Sequence, residues 1–224
     1  MKFRIVTLIS LLAFMGALLP NHAQGQKQQV IRFKTQVKPN SDERINLVMT
    51  PMPGEGGVKI EGAELITLPD GHNKAWKVTK NWITITGPVK QFDCNLSAID
   101  SITFENPESL QELIVETNKM SVLNLTGMKS LTYLGASATD IREINLTGCT
   151  SLKQIQCNGS KLVKINLTAA TNLERASLTL SSLSELDLTG LTKLKELDLN
   201  NNGISKIDLK DLPALESVVL SYNP

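Results

Sequence analysis

Histidine is almost missing from this 224-residue chain, which carries only His22 and His72. His22 falls in a leader segment, so any chemistry that needs an imidazole base, or a zinc site built from several imidazoles, would have to run through His72 in a Gly/Asn turn. Three cysteines cannot form a paired framework; one bridge is the most they allow. Aromatic residues make up 4% of the chain and offer little for bases to stack on. No sign of charge dominates: 23 Lys and Arg oppose 22 Asp and Glu, and removing Lys2 and Arg4 with the leader leaves 21 against 22, a net charge of −1. That excludes a basic footprint for nucleic acid. At 41% apolar and 20% charged, the chain is too hydrophobic for a disordered one.

What is present begins with Met-Lys-Phe-Arg, an apolar run from Ile5 to Leu19, and Pro20-Asn21-His22-Ala23. A basic start, a run too short for the roughly 20 residues of a membrane-spanning helix, and a small residue at the end make residues 1–23 a signal peptide cleaved after Ala23. A retained anchor is the competing reading. No later segment is apolar enough to span a membrane, which places the mature protein outside the cell, secreted or at its surface.

From Pro88 the sequence repeats every 21 residues without insertion, in blocks 88–108, 109–129, 130–150, 151–171, 172–192, 193–213 and a partial 214–224. One apolar column runs Phe92, Leu113, Leu134, Ile155, Ala176, Leu197, Val218; a second runs Cys94, Val115, Ala136, Cys157, Leu178, Leu199, Leu220. In the second half of each block the columns start at Ile99, Ile102 and Phe104. Alternation with polar residues gives two short extended sides per block, and neither side has the length or period of a helix. A lone coil cannot bury its apolar columns, so coils must stack at about 4.8 Å to merge them into one core. A polar column, Ser97, Asn118, Thr139, Ser160, Ser181, Asn202, Asn223, sits at the corner where it can bond backbone groups left unpaired.

These columns resemble the leucine-rich repeats, and the run from Leu194 to Leu209 matches the pattern Leu-x-x-Leu-x-Leu-x-x-Asn-x-Leu-x-x-Leu-x-Leu position for position. The closest class is the short 21-residue repeat of bacterial surface proteins, the internalin-like type. The resemblance covers 88–224 and implies a mainly β solenoid whose first strand side is concave and carries the binding site. Small Ala136 and Ala176 in core columns, and Thr or Ser in place of Asn in three central cycles, predict less regular coils between 130 and 181.

Residues 24–87 are built differently. Short strands are predicted at 30–35, 45–49, 58–60, 65–68, 76–78 and 82–86, separated by Pro, Gly and Asn clusters. They form an all-β cap for the first coil, which would otherwise expose core and strand edges. At the far end the chain stops at Tyr222-Asn223-Pro224 in mid-coil, so self-association through an open terminal coil is expected as an alternative.

Cys94 and Cys157 lie three coils apart, too far to bridge, and are expected to be buried free thiols; Cys149 is core filler or a reactive thiol. The outward positions of the first strand side form a recognition patch from Glu112, Ile114, Glu116, Tyr133, Gln154, Gln156, Asn158, Arg175, Glu196 and Asp198, with Ile114, Tyr133, Gln154, Gln156 and Arg175 at its centre. Calcium at Glu112/Glu116 or Glu196/Asp198 would need a loop of alternating oxygen ligands, which is missing. No metal or other cofactor is expected. Asn-Leu-Thr at Asn124, Asn145 and Asn166 reads as repeat polarity before glycosylation, and Asp100-Ser101-Ile102 is similar to a short bacterial O-glycosylation signal. The functional expectation is an exported protein that binds a protein partner in adhesion or host contact, without catalysis. The alternatives are a structural protein assembling end to end and an accessory module of an enzyme.

Overall fold

The computed structural model describes residues 27–54, 57–68 and 74–224. The leader 1–23 and His72 lie outside them. The described residues form a β solenoid of 21-residue coils, with strands and turns and no helix.

On the front of the solenoid, β8 (Val89–Asp93), β10 (Glu112–Ile114), β12 (Tyr133–Gly135), β14 (Gln154–Gln156), β16 (Arg175–Ser177), β17 (Glu196–Asp198) and β18 (Ser217–Val219) stack as parallel neighbours. Each pairs with the strand 21 residues on: Leu113 faces Leu134, Ile155 faces Ala176, and Leu197 faces Val218. The register holds through 130–181, where less regular coils were expected. Backbone pairing fixes the register, and small side chains at Ala136 and Ala176 do not disturb it, because both stay buried in the core.

The back differs from the expectation of two strand sides in every coil. There only β11 (Val122–Asn124), β13 (Glu143–Asn145) and β15 (Lys164–Ile165) form a ladder. Residues 185–187 and 206–208 repeat the same pattern without strand pairing. Where the ladder ends, a depression of about 620 Å³ opens, bordered by Lys164, Asn166, Glu185, Asp187, Lys206 and Asp208.

Every coil leaves the front strand through a left-handed residue: Leu96, Thr117, Ala138, Gly159, Leu180, Asn201 and Tyr222 have φ between 50° and 63°. Only one of them is glycine, and a non-glycine residue there costs about 1 kcal/mol. The polar column that follows offsets this cost. Asn118 Nδ2 donates to the carbonyls of Cys94, Val115 and Glu116 at 3.0, 2.9 and 3.1 Å, and its Oδ1 accepts from Ile99 N at 2.9 Å. Asn202 and Asn223 repeat the arrangement. Thr139 and Ser160 each keep one bond to the carbonyl three residues back, at 2.9 and 3.1 Å.

The N-terminal segment closes over the first coil from two sides. β3 (Val48–Pro51) adds antiparallel to β8, placing Met49 opposite Phe92. β1 (Val30–Thr35) adds antiparallel to β9 (Ile99–Glu105), the back of the first coil, with Phe33 opposite Ile102. β7 (Trp82–Thr86) and β4 (Lys59–Glu61) complete that sheet in the order β4-β7-β1-β9. β2 (Arg44–Ile45), β6 (Lys74–Val78) and β5 (Ala63–Thr67) form a second small sheet. Gly62, at φ 90°, joins β4 to β5 so closely that a Cβ would overlap the Trp82 carbonyl oxygen. Ser97 serves the cap and not the next coil: its hydroxyl donates to Asn46 O at 2.7 Å and accepts from Asn46 N at 3.0 Å.

Candidate functional site

The unbroken front sheet turns alternate side chains outward, because strand residues two apart share a face. All ten expected patch residues lie on this sheet or one to two residues beyond its strands, but they do not form one cluster. Gln154, Gln156, Arg175, Ser177, Glu196 and Asp198 border an open depression of about 550 Å³, which continues to Ser217 and Val219. Glu112, Ile114 and Glu116 lie on the other side of Tyr133, towards the cap.

Tyr133 divides the two groups. Its ring lies across Gly135 two residues on in the same strand, so a Cβ at Gly135 would come within 3.3 Å of ring atoms and 3.2 Å of Glu116 Oε1. Its hydroxyl donates to Gln156 Oε1 at 2.8 Å. The side chain is therefore half-buried and directed along the sheet towards the next coil, and does not stand up from it. Burial, and then the Glu116 carboxylate, hold the phenol above its ordinary pKa, so it stays a neutral donor.

Arg175 is exposed and its Nε lies 3.2 Å from Glu196 Oε1 in the next coil. Asn158 is committed to inter-coil bonds: its Oδ1 accepts from Ser177 Oγ at 2.8 Å and Thr179 N at 3.1 Å. Asp198 accepts from Asn200 N at 3.0 Å. The outward columns thus hold Asp93, Glu112, Glu116, Glu196 and Asp198 against the single cation Arg175, and that cation is already paired. The front is an acidic face.

Asp93 was not among the expected patch residues, although it shares a column with Ile114 and Gly135 at the 21-residue spacing. Burial raises its pKa against the pull of a 2.8 Å bond from Asn95 N. Glu116 is also raised, first by burial and then by the Asp93 charge. A carboxyl raised in the folded state binds its proton more tightly there than in the unfolded chain. Folding stability therefore falls as pH climbs from the ordinary carboxyl value through the raised one. Glu116→Gln should raise the melting temperature at pH 7 relative to the parent, and the difference should close on acidification towards pH 4. Thermal melts across that range check it; a variant less stable than the parent at pH 7 would contradict it.

The thiols are fully buried. Cys94 and Cys157 share one inward column with Val115 and Ala136 between them, all three cysteines are unbridged, and burial pushes both of these thiols upward. Cys149 Sγ lies 3.2 Å from Leu125 O and its pKa is pushed up to about 11. None is a thiolate at neutral pH, which answers the reactive-thiol alternative for Cys149 in favour of core packing. Among the described residues no three His, Cys, Asp or Glu converge as metal ligands, and no helix is long and apolar enough to cross a membrane.

Coil length, in-register front strands, the inward apolar columns and the asparagine corners define a β solenoid similar to those of leucine-rich repeats. No family model matches the chain, and no curated protein does. Among solved structures it is similar to the functional domain of InlJ from Listeria monocytogenes, a domain described as including a cysteine ladder. The match has 20% identity and a TM-score of 0.36, over 66% of this chain and 43% of that one. The chain thus spans less than half the length of that structure, and the likeness to leucine-rich repeats rests on the coil geometry of this chain itself.

Proposed function

We propose that the protein is exported and uses the front sheet to bind a protein partner at or beyond the cell surface, in adhesion or host contact, without catalysing a reaction. The observation that carries this reading is the front sheet itself: an acidic, open face of outward columns whose positions are fixed by an unbroken backbone ladder. Such a face suits a surface more than an enclosed small substrate, since its depression is open and lined by residues of four successive coils, polar and apolar alike. The three thiols are buried and do not reach this face. An acidic face of this kind suits a partner that presents Lys or Arg.

The test immobilises the protein and quantifies extracellular proteins captured from its native surroundings. Glu112→Gln with Glu196→Gln on the front should reduce capture of a specific basic partner by about tenfold. Glu143→Ala with Lys164→Ala on the back should leave it intact, and both variants should melt as the parent does. Undiminished capture by the front variant would overturn the reading.

A further inference from the structure

The sheet β4-β7-β1-β9 in the N-terminal segment has one face in the core and one in solvent. Inward, Ile31, Phe33, Ile83 and Ile85 are fully buried and supply its stability. Outward, the register sets two adjacent rows: Ser101, Lys34 and Trp82 in one, Thr103, Arg32, Thr84 and Glu61 in the next. Trp82 is 42% exposed, and the Arg32 guanidinium lies 5.4 Å from the centre of its ring. Trp76 shows what a structural tryptophan does in this segment: it packs against the core and donates its Nε1–H to Leu47 O at 3.0 Å. Trp82 stands on the face that does not hold the sheet to the core. Among the described residues neither Arg32 nor Lys34 has a carboxylate within ion-pair distance, and nearby Glu61 is paired with Lys59 at 2.8 Å.

We propose that this face binds an anionic oligosaccharide. A pyranose ring has an apolar C–H face that fits an indole, a rim of hydroxyls, and in acidic glycans a carboxylate or sulfate. Trp82 supplies the platform, Thr84 and Thr103 supply hydroxyl partners one row away, and Arg32 and Lys34 supply the counter-charge. The guanidinium is held beside the ring by its stacking, oriented for a planar acid group at the platform edge. A single aromatic residue cannot continue the base stacking that a nucleic acid strand would require. The site is separate from the front sheet and independent of the protein partner proposed for it.

Titration of the protein with a hexagalacturonate and with a sulfated hexasaccharide, followed by tryptophan fluorescence and calorimetry, tests the proposal. At least one of the two should bind, with a neutral glucose hexamer weaker by about tenfold or more. Trp82→Ala should weaken binding by a similar factor while Trp82→Phe retains it, and Arg32→Ala or Lys34→Ala should flatten its salt dependence. The front variant Glu112→Gln/Glu196→Gln should bind as the parent does. Failure of both acidic oligomers to bind, unchanged affinity in a folded Trp82→Ala, or equal affinity for a single-stranded oligonucleotide would overturn it. Carboxylate and sulfate preference is read directly from the two oligomers.

Discussion

Phe92→Ala should destabilise the protein by about 3–5 kcal/mol, the cost of deleting a buried ring from a packed site. Phe92 has no exposed surface, and three partners meet on it. Its ring centre lies 6.0 Å from that of Phe33 in the cap, its backbone faces Met49 of the added antiparallel strand, and Leu113 of the next coil stacks in register beneath it. The cavity would open where the N-terminal segment joins the array, so both should loosen together. Urea unfolding followed by circular dichroism, dominated by the coils, and by fluorescence of Trp76 and Trp82, both in the cap, tests this. The two midpoints should fall in parallel, and Phe92→Leu should recover most of the loss. A cap signal that falls while the array signal holds would show that the joint is not shared.

Asn118→Ala should cost about 2–3 kcal/mol, well above what its modest size would lead one to expect. The side chain is 2% exposed and accepts a hydrogen bond from the N–H of the buried Ile99. Removing it also strips a donor from three carbonyls in two successive coils, and water has no route to replace it. Ser160→Ala, at the equivalent corner, should cost less than half as much, because Ser160 holds only the Cys157 carbonyl and shares a bond with Ser181. Equal losses at the two corners would show that the amide does no more than a hydroxyl there.

The array was legible because each of its decisions is made many times over. A column such as Leu113, Leu134, Ile155 and Leu197 repeats one inward choice at one spacing, and backbone pairing then has a single register that buries them all. Most strands of the N-terminal segment were legible too, within a residue or two, from apolar alternation between turn clusters; the exception is 45–49, expected as one strand, which divides into β2 and β3 in two different sheets. Their partners were not. β1 meets β9 across some seventy residues of sequence, and nothing periodic marks Phe33 and Ile102 as neighbours. Ser97 sits in the corner column yet clasps Asn46, because the first coil has the cap and not another coil before it. On the candidate site, sequence spacing placed the outward residues on one face. It could not show that Tyr133 lies down over Gly135, that Asn158 is spent on its neighbours, or that Arg175 is already paired, since these depend on side-chain direction and not on column membership. The end of the back ladder was equally invisible: residues 185–187 and 206–208 carry the same pattern as those that pair.

That one-sided ladder also fixes how the molecule deforms. Stretching the front would break backbone bonds in every coil, so it behaves as an inextensible band. The back beyond Ile165 has no strand ladder, only isolated inter-coil bonds such as Gly203 N–H to Leu183 O near the corner, and can spread or close more readily. Bending is therefore confined to one plane and shared among the C-terminal coils, with no single hinge. The front face can tighten or flatten while every outward side chain keeps its place relative to the next.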